Sequence, residues 1–299
     1  MIKICFQNSQ SVSRLYHQML DVRKGQKRKT EYLQKIKRLN SWCSSNIVID
    51  GEPYSFWKII YADYGKLRKI AKVYREGEKL PEKDKEFILN TLYENKFPRK
   101  AFVEELQVTV CPYCNRNFIN STNKRTMCEL DHFFDKNTYP VLAVSFYNLV
   151  PVCHACNHVK GSREMFCSPH DARCRTDELL EFNYYILGAD FLHDRRQLGI
   201  ELEYSAIFQN NVKVLQLEKV YQIHSDIVQE CIKKAYIFNP DYLKYLYDTY
   251  EDIFESEEEL YRIVFGNYME NDSYDKRPLS KLTKDIVSGL LRDYYRKEM

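Results

Sequence analysis

Two Cys-x-x-Cys pairs, Cys111-Pro112-Tyr113-Cys114 and Cys153-His154-Ala155-Cys156, constrain this chain more than any other feature. Two thiolates at that spacing grip one Zn²⁺ from a tight knuckle, and two knuckles close a tetrahedral site. Such a site keeps no position open for water, so it staples a loop-rich segment and performs no chemistry itself. The alternative for the four cysteines is burial as free thiols. Ten cysteines in 299 residues would suit a disulfide scaffold only in an oxidising compartment. The start, MIKICFQNSQ, lacks the apolar block of a signal peptide. No stretch approaches the roughly 18 consecutive apolar residues of a membrane span. On both observations the chain is expected in the cytoplasm, where metal ligation is favoured over disulfides. A third group, Cys167-x-x-His170-x-x-x-Cys174, offers three ligands where structural zinc takes four, so no second site is expected.

The residues between and after the knuckles carry the chemistry. Leu130-Asp131-His132 lies between them, Asn148-Leu149-Val150-Pro151 leads into Cys153, and Cys156 is followed by Asn157 and then Lys160. An imidazole beside a carboxylate, with an amide anchored next to the second knuckle, suits metal-assisted phosphodiester hydrolysis. That reaction needs a base for water and a hard oxygen site for Mg²⁺. A histidine standing alone is more often a satisfied core residue; the constellation singles out His132.

In this order, C-x-x-C, D-H, N-L-V, C-x-x-C-N-x-x-K, the segment resembles the HNH endonucleases of the His-Me finger superfamily. The stretches CPYCNRNFIN, LDHFFDKNTYP and SFYNLVPVCHACNHVKGS are most similar to the PtuB-type HNH nucleases of Septu and retron-associated anti-phage defence systems. The resemblance runs from Cys111 to Arg163 and implies an α+β protein, a small zinc-stapled ββα-metal finger embedded in mostly α-helical surroundings. His132 would stand on the first strand of the hairpin, with Asn148 near its loop and a short helix starting around Cys156. It implies His132 as general base, Asp131 and Asn157 as ligands of a catalytic Mg²⁺ or Mn²⁺, and Asn148 as the brace that orients His132. Lys160 and Arg163 would contact nucleic acid, Lys160 at a phosphate. Asp135 is an alternative ligand. The proline that commonly follows D-H-I in the family is replaced by Phe133-Phe134-Asp135-Lys136. The last ligand position is asparagine where histidine is also found, which favours hard ions such as Mg²⁺ over Ni²⁺ or Zn²⁺.

The same resemblance implies control by a partner ATPase, since the chain has no G-x-x-x-x-G-K-[ST] loop of its own. One histidine and one metal cut one strand at a time, so a double-strand break takes two protomers, as in a homodimer within a larger assembly, or two encounters. A non-catalytic zinc module that binds nucleic acid or bridges proteins would share the cysteines. It would have no use for Asp131, His132 and Asn157 together. The chemistry acts on the phosphate and does not separate DNA from RNA.

Outside this segment the reading is coarser. The net charge of +3 identifies no partner by itself, yet the first 40 residues hold ten Lys or Arg against Asp21 and Glu31. That basic arm suits phosphate or is a solvated helix face. Helical spacing of Trp57, Ile60, Tyr61, Tyr64, Leu67 and Ile70 predicts packed helices with aromatics in the core. Ile200–Tyr204 and Val212–Leu217 read as strands of a hairpin around Asn210-Asn211, followed by a helix from Lys219 to about Phe238. A last helix carries Leu282, Ile286, Leu290 and Tyr294 on one face. Seven acidic residues between Asp248 and Glu259, with neighbouring tyrosines, offer a docking surface for a partner. The expected division is a helical region with the basic arm over 1–105, the nuclease core over 106–175, and a hairpin with C-terminal helices over 176–299.

Overall fold

The computed structural model describes residues 2–4, 14–16, 28–120 and 127–298. Much of the basic arm, including Arg23, Lys24 and Lys27, lies outside the described residues. The chain forms two compact units, one from residues 4–107 and 120–172, the other from 1–3, 108–119 and 173–299.

In the first unit, α1 (Arg28–Asn46) buries Tyr32, Ile36, Leu39 and Cys43 at helical spacing. Arg38 from the arm does not wait for a partner outside the chain, because its Nε lies 3.0 Å from Oδ1 and 3.1 Å from Oδ2 of the buried Asp84. A small ribbon of β1 (Val48–Ile49) and β2 (Glu52–Pro53) turns at Asp50-Gly51, both with positive φ as such hairpins require. Next come α2 (Phe56–Ile60) and α3 (Tyr64–Glu76), capped by the side chains of Ser55 and Asp63. The apolar face of α3 buries Tyr64, Leu67, Ile70, Ala71 and Tyr74; its other face is cationic. After α4 (Glu82–Glu86) the winding loosens into a ten-residue π-helical stretch, Phe87–Lys96, and α5 (Arg99–Leu106) follows. Runs of this kind are rare and tend to stand at functional sites.

The same unit holds an antiparallel hairpin, β3 (Glu129–His132) with β4 (Leu149–Val152), in register from Glu129 opposite Val152 to His132 opposite Leu149. The intervening 133–148 is a compact loop with single 3₁₀ turns at Pro140–Leu142 and Phe146–Asn148. Helix α6 (His154–Lys160) follows β4, starting two residues before the expected Cys156 because Cys153 takes the cap position.

In the second unit, α7 (Thr176–Leu179) runs into β5 (Leu180–Ile186), which pairs antiparallel with β6 (Leu198–Tyr204). The expected strand over Ile200–Tyr204 is therefore present with a different partner. Val212–Leu217 is not a strand: it is divided between α8 (Gln209–Leu215) and α9 (Leu217–Tyr221), separated by the left-handed Gln216. Short apolar runs fit a buried helix turn as well as a strand, and here Val212, Val214 and Leu215 are buried. The helix expected from Lys219 to Phe238 is interrupted at Gln222–His224, where the Gln222 amide pairs with the backbone of Ile200 on β6 (2.7 and 3.1 Å). It resumes as α10 (Ser225–Ile237). Asn239 then caps α11 (Pro240–Thr249), with Pro240 in the first turn. After α12 (Glu257–Phe265), α13 (Ser280–Glu298) buries Leu282 and Ile286 and packs on α10 and β5. Among the described residues no helix is long and apolar enough to cross a membrane.

Candidate metal centre and catalytic cleft

The side chains of Cys111, Cys114, Cys153 and Cys156 are buried, and their four sulfur atoms lie within 4.8 Å of one another. Zn–S bonds of about 2.3 Å put tetrahedral sulfurs about 3.8 Å apart, so a small contraction closes a Zn²⁺ site, and four soft donors shielded from water suit that ion. These four cysteines can hold a zinc ion.

Each knuckle is built by its own neighbours. Asn115 stands in the left-handed region (φ 50°) and donates its amide hydrogen to Cys111 O, closing the first turn. Its buried side chain donates to Tyr274 O at 2.7 Å and accepts from Lys281 N at 3.1 Å. Tyr221 Oη donates to Cys114 O at 2.6 Å. In the second knuckle Cys153 caps α6 and Cys156 sits in its first turn, where the exposed amides and helix dipole favour thiolate.

Residues 129 and 131 share one face of β3, and His154, Asn157 and Lys160 share one face of α6. The two faces meet as a ladder. Glu129 accepts from His154 Nδ1 at 2.6 Å and from Asn157 Nδ2, while Asp131 Oδ1 accepts from Lys160 Nζ at 2.9 Å. Hydrogen bonds from His154 and Asn157 hold the Glu129 carboxyl below the usual carboxylate range against the opposing effect of burial.

His132 is buried, and its Nε2 lies 2.9 Å from Ala143 O. A carbonyl can only accept, so Nε2 carries the ring proton and the neutral imidazole keeps its lone pair on Nδ1. Burial, with Lys136 nearby, pushes the imidazole down to about 3, so the ring is neutral at physiological pH. The edge of Tyr93 packs against it, with ring centroids 4.5 Å apart. Asn148, fully buried, accepts from Phe134 N at 2.7 Å and donates to Phe134 O and Leu142 O at 3.1 and 2.9 Å. It thereby fixes both the residues after His132 and the turn that presents Ala143 O.

Glu129, Asp131, His132, Asp135 and Asn157 line one cleft of about 620 Å³, with Tyr93, Glu94, Arg99 and Lys136 on its rim. Glu94 ties the rim together through Arg99 and Lys136, and both cations lie 4.6 Å from the Tyr93 ring centroid. Four carboxylates, Glu94, Glu129, Asp131 and Asp135, face the cations Arg99 and Lys136, with Lys160 behind Asp131 as a third, so the cleft keeps a small excess of negative charge. Among the described residues, though, the thiols are the group of three or more Cys, His, Asp or Glu donors gathered this closely. A divalent ion here would rest on two protein ligands and a substrate phosphate, the usual habit of Mg²⁺.

The sequence expectation for Lys160 does not match its surroundings. Its side chain is 1% exposed, and Nζ also donates to His132 O at 2.8 Å, so the ammonium acts inside the fold and not at a phosphate. Arg163 is exposed but folds back to cap α6 at Val159 O and Lys160 O. Asp135 accepts from Thr138 N and Oγ1 in its own turn. Glu129 was missed by sequence reasoning, although alternation along β3 places it beside Asp131. Tyr93, Glu94 and Arg99 lie outside the resembling segment and carry no local signal.

The chain is similar to the Septu protein PtuB of Bacillus thuringiensis, at 30% identity over 94 residues. These residues make up 30% of this chain and 35% of that protein, so the match spans about a third of the relative's length. No protein-family profile matches the chain, and no solved structure matches it.

Proposed function

We propose that this chain is a metal-dependent HNH endonuclease that hydrolyses phosphodiester bonds of nucleic acid as part of a bacterial anti-phage defence system. The observation that carries the proposal is the placement of His132. Its Nε2–H is tied to a backbone carbonyl, and its side chain shares a cleft with Asp131 and Asn157. Among the described residues Nδ1 makes no hydrogen bond, which leaves a lone pair to take a proton from water. The likeness to PtuB supports the defence setting.

Asp131 and Asn157 would hold a Mg²⁺ or Mn²⁺, with Glu129 fixing the Asn157 amide so that its carbonyl oxygen is turned away from that carboxylate. When bound, the ion neutralises charge gathering on the phosphate and its leaving oxygen. Every other task falls to the chain. Asn148 holds the loop so that Ala143 O fixes the His132 tautomer, and a nearby substrate phosphate raises the proton affinity of the imidazole as it arrives. Lys160 keeps Asp131 in place by a buried ion pair. The four thiolates hold a structural Zn²⁺. DNA is the preferred substrate, with RNA such as tRNA as the alternative.

A partner ATPase would supply nucleotide sensing. The exposed Tyr242, Tyr245, Tyr250 and Ile253, beside acidic residues from Asp248 to Glu259, give it a surface to dock on. The non-catalytic reading, a zinc module that binds nucleic acid or bridges proteins, is favoured by one observation, the Lys160 ammonium already paired with Asp131. The experiment is plasmid nicking by zinc-loaded protein in Mg²⁺, with and without the partner. Wild type should nick and His132→Ala should lose nearly all activity; equal nicking by both, or none with the partner present, selects the binding module.

A further inference from the structure

A second groove, of about 360 Å³, lies in the same unit as the cleft, between α3 and the segments Phe133–Phe134 and Glu164–Phe166. Its size falls at the small end of the range for ligand pockets, roughly 300–1,000 Å³. Its lining combines two features. The first is aromatic. Tyr64 and Phe134 stack nearly parallel, at 21° with centroids 6.1 Å apart, and Phe166 stands 55% exposed at the mouth. The second is cationic. Arg68, Lys72 and Arg75 of α3 line the groove, with Glu76 and Glu164 as its carboxylates, and Lys66 and Lys69 add to the charge of the same helix.

Most of these cations have partners. Lys66 pairs with Asp63, Lys69 with Asp50, and Arg75 with Glu164 and Tyr139. Arg68 and Lys72, one helical turn apart, line the groove, are exposed and form no ion pair among the described residues. A planar apolar surface flanked by two unneutralised cations suits a nucleobase with a phosphate on either side. Continuity places the groove beside the proposed reaction. Phe133, which lines the groove, directly follows His132, which lines the cleft.

We propose that this groove binds single-stranded nucleic acid, seating an unstacked base against Phe166 and Phe134 while Arg68 and Lys72 take the flanking phosphates. The inference builds on the nuclease reading, and names an unpaired strand as the form of substrate the chain grips beside His132. A single strand can turn its bases toward the protein, which a duplex cannot do without being opened.

The test uses the full zinc-loaded chain without added divalent cation and short oligonucleotides carrying 2-aminopurine, as single-stranded DNA, single-stranded RNA and duplex. Wild type should bind the single strands more tightly than the duplex and quench the 2-aminopurine by stacking; the DNA and RNA arms read which backbone it prefers. Phe166→Ala should weaken single-strand binding about tenfold and abolish the quenching. Arg68→Ala with Lys72→Ala should lower the salt slope of log K by about 1.4, two phosphates at about 0.7 each. All three side chains are exposed, so circular dichroism should confirm unchanged folding. Unchanged binding, quenching and salt slope in these variants overturns the proposal, whatever the nicking result. Loss of binding in variants of a protein that never nicks would keep the groove and remove the nuclease. No single-strand binding by wild type, with or without the partner, leaves the groove to a protein ligand and overturns the proposal.

Discussion

Lys160 offers the sharpest test of the geometry, because a phosphate contact and a buried strut respond to its removal in opposite ways. The perturbation is Lys160→Met, which keeps the stem and deletes the ammonium. With Lys160 and Asp131 exposed by only 1% and 4%, the variant takes the countercharge away from a buried carboxylate. Breaking a buried pair in this way costs about 3–5 kcal/mol. His132 O loses a donor as well. Adding Asp131→Asn removes the uncompensated charge and should recover most of the loss, so the double-mutant cycle yields a large coupling. The assay is urea unfolding of zinc-loaded protein followed by far-UV circular dichroism, run beside oligonucleotide binding over a salt series. Had Lys160 faced a phosphate, its removal would change stability by no more than about 0.5 kcal/mol and lower the salt slope by about 0.9 on duplex. A Lys160→Met protein as stable as wild type but weaker on nucleic acid would refute the buried-strut reasoning.

Three further outcomes follow from other parts of the molecule. Purified protein should carry one equivalent of zinc by atomic absorption, and Cys111→Ser or Cys153→Ser should reduce that content and lower the unfolding midpoint. His170 is buried with Nε2 bonded to Leu149 O, and burial pushes its imidazole down to about 4. The unfolded chain gains a proton near pH 6.5 that the folded chain refuses, so stability falls as pH drops from about 6.5 to 4, by up to about 3 kcal/mol. His170→Gln should remove about half of that slope, with the buried His132 supplying the rest, and an unchanged slope would count against the assignment. Asn115→Ala removes a side-chain donor and acceptor and strains a left-handed backbone, at about 1–3 kcal/mol, and hydrogen exchange should rise at the start of α13.

What the sequence made legible was local. The strand bearing His132 and the helix after the second knuckle could be read because Cys-x-x-Cys, Asp-His and Asn-x-x-Lys each occupy one turn or one strand, and neighbouring residues suffice to place them. Helix α3 could be read from Tyr64, Leu67 and Ile70 recurring on one face. Val212–Leu217 could not, since six apolar-rich residues satisfy a strand and a short helix alike, and the true partner of β6 lies upstream at Leu180–Ile186. Lys160 misled for a different reason. Whether a cation meets solvent or a carboxylate depends on which strand faces its helix, and the pairing of α6 with β3 joins positions 28 and 29 residues apart. The rim of the cleft was invisible, because Tyr93 and Glu94 reach His132 and Lys136 only through tertiary packing.

That rim also depends on how Phe87–Lys96 is wound. Residues in a π-helix advance around the axis by a smaller angle than the 100° of an α-helix, so the stretch accommodates a residue that a regular helix would have to expel. Deleting a single residue upstream of Tyr93 would let the segment tighten, swing Tyr93 off the imidazole and Glu94 off Lys136, and leave the hairpin and the cysteine knuckles untouched. A one-codon change could therefore retune the entrance of the cleft without disturbing the residues inside it.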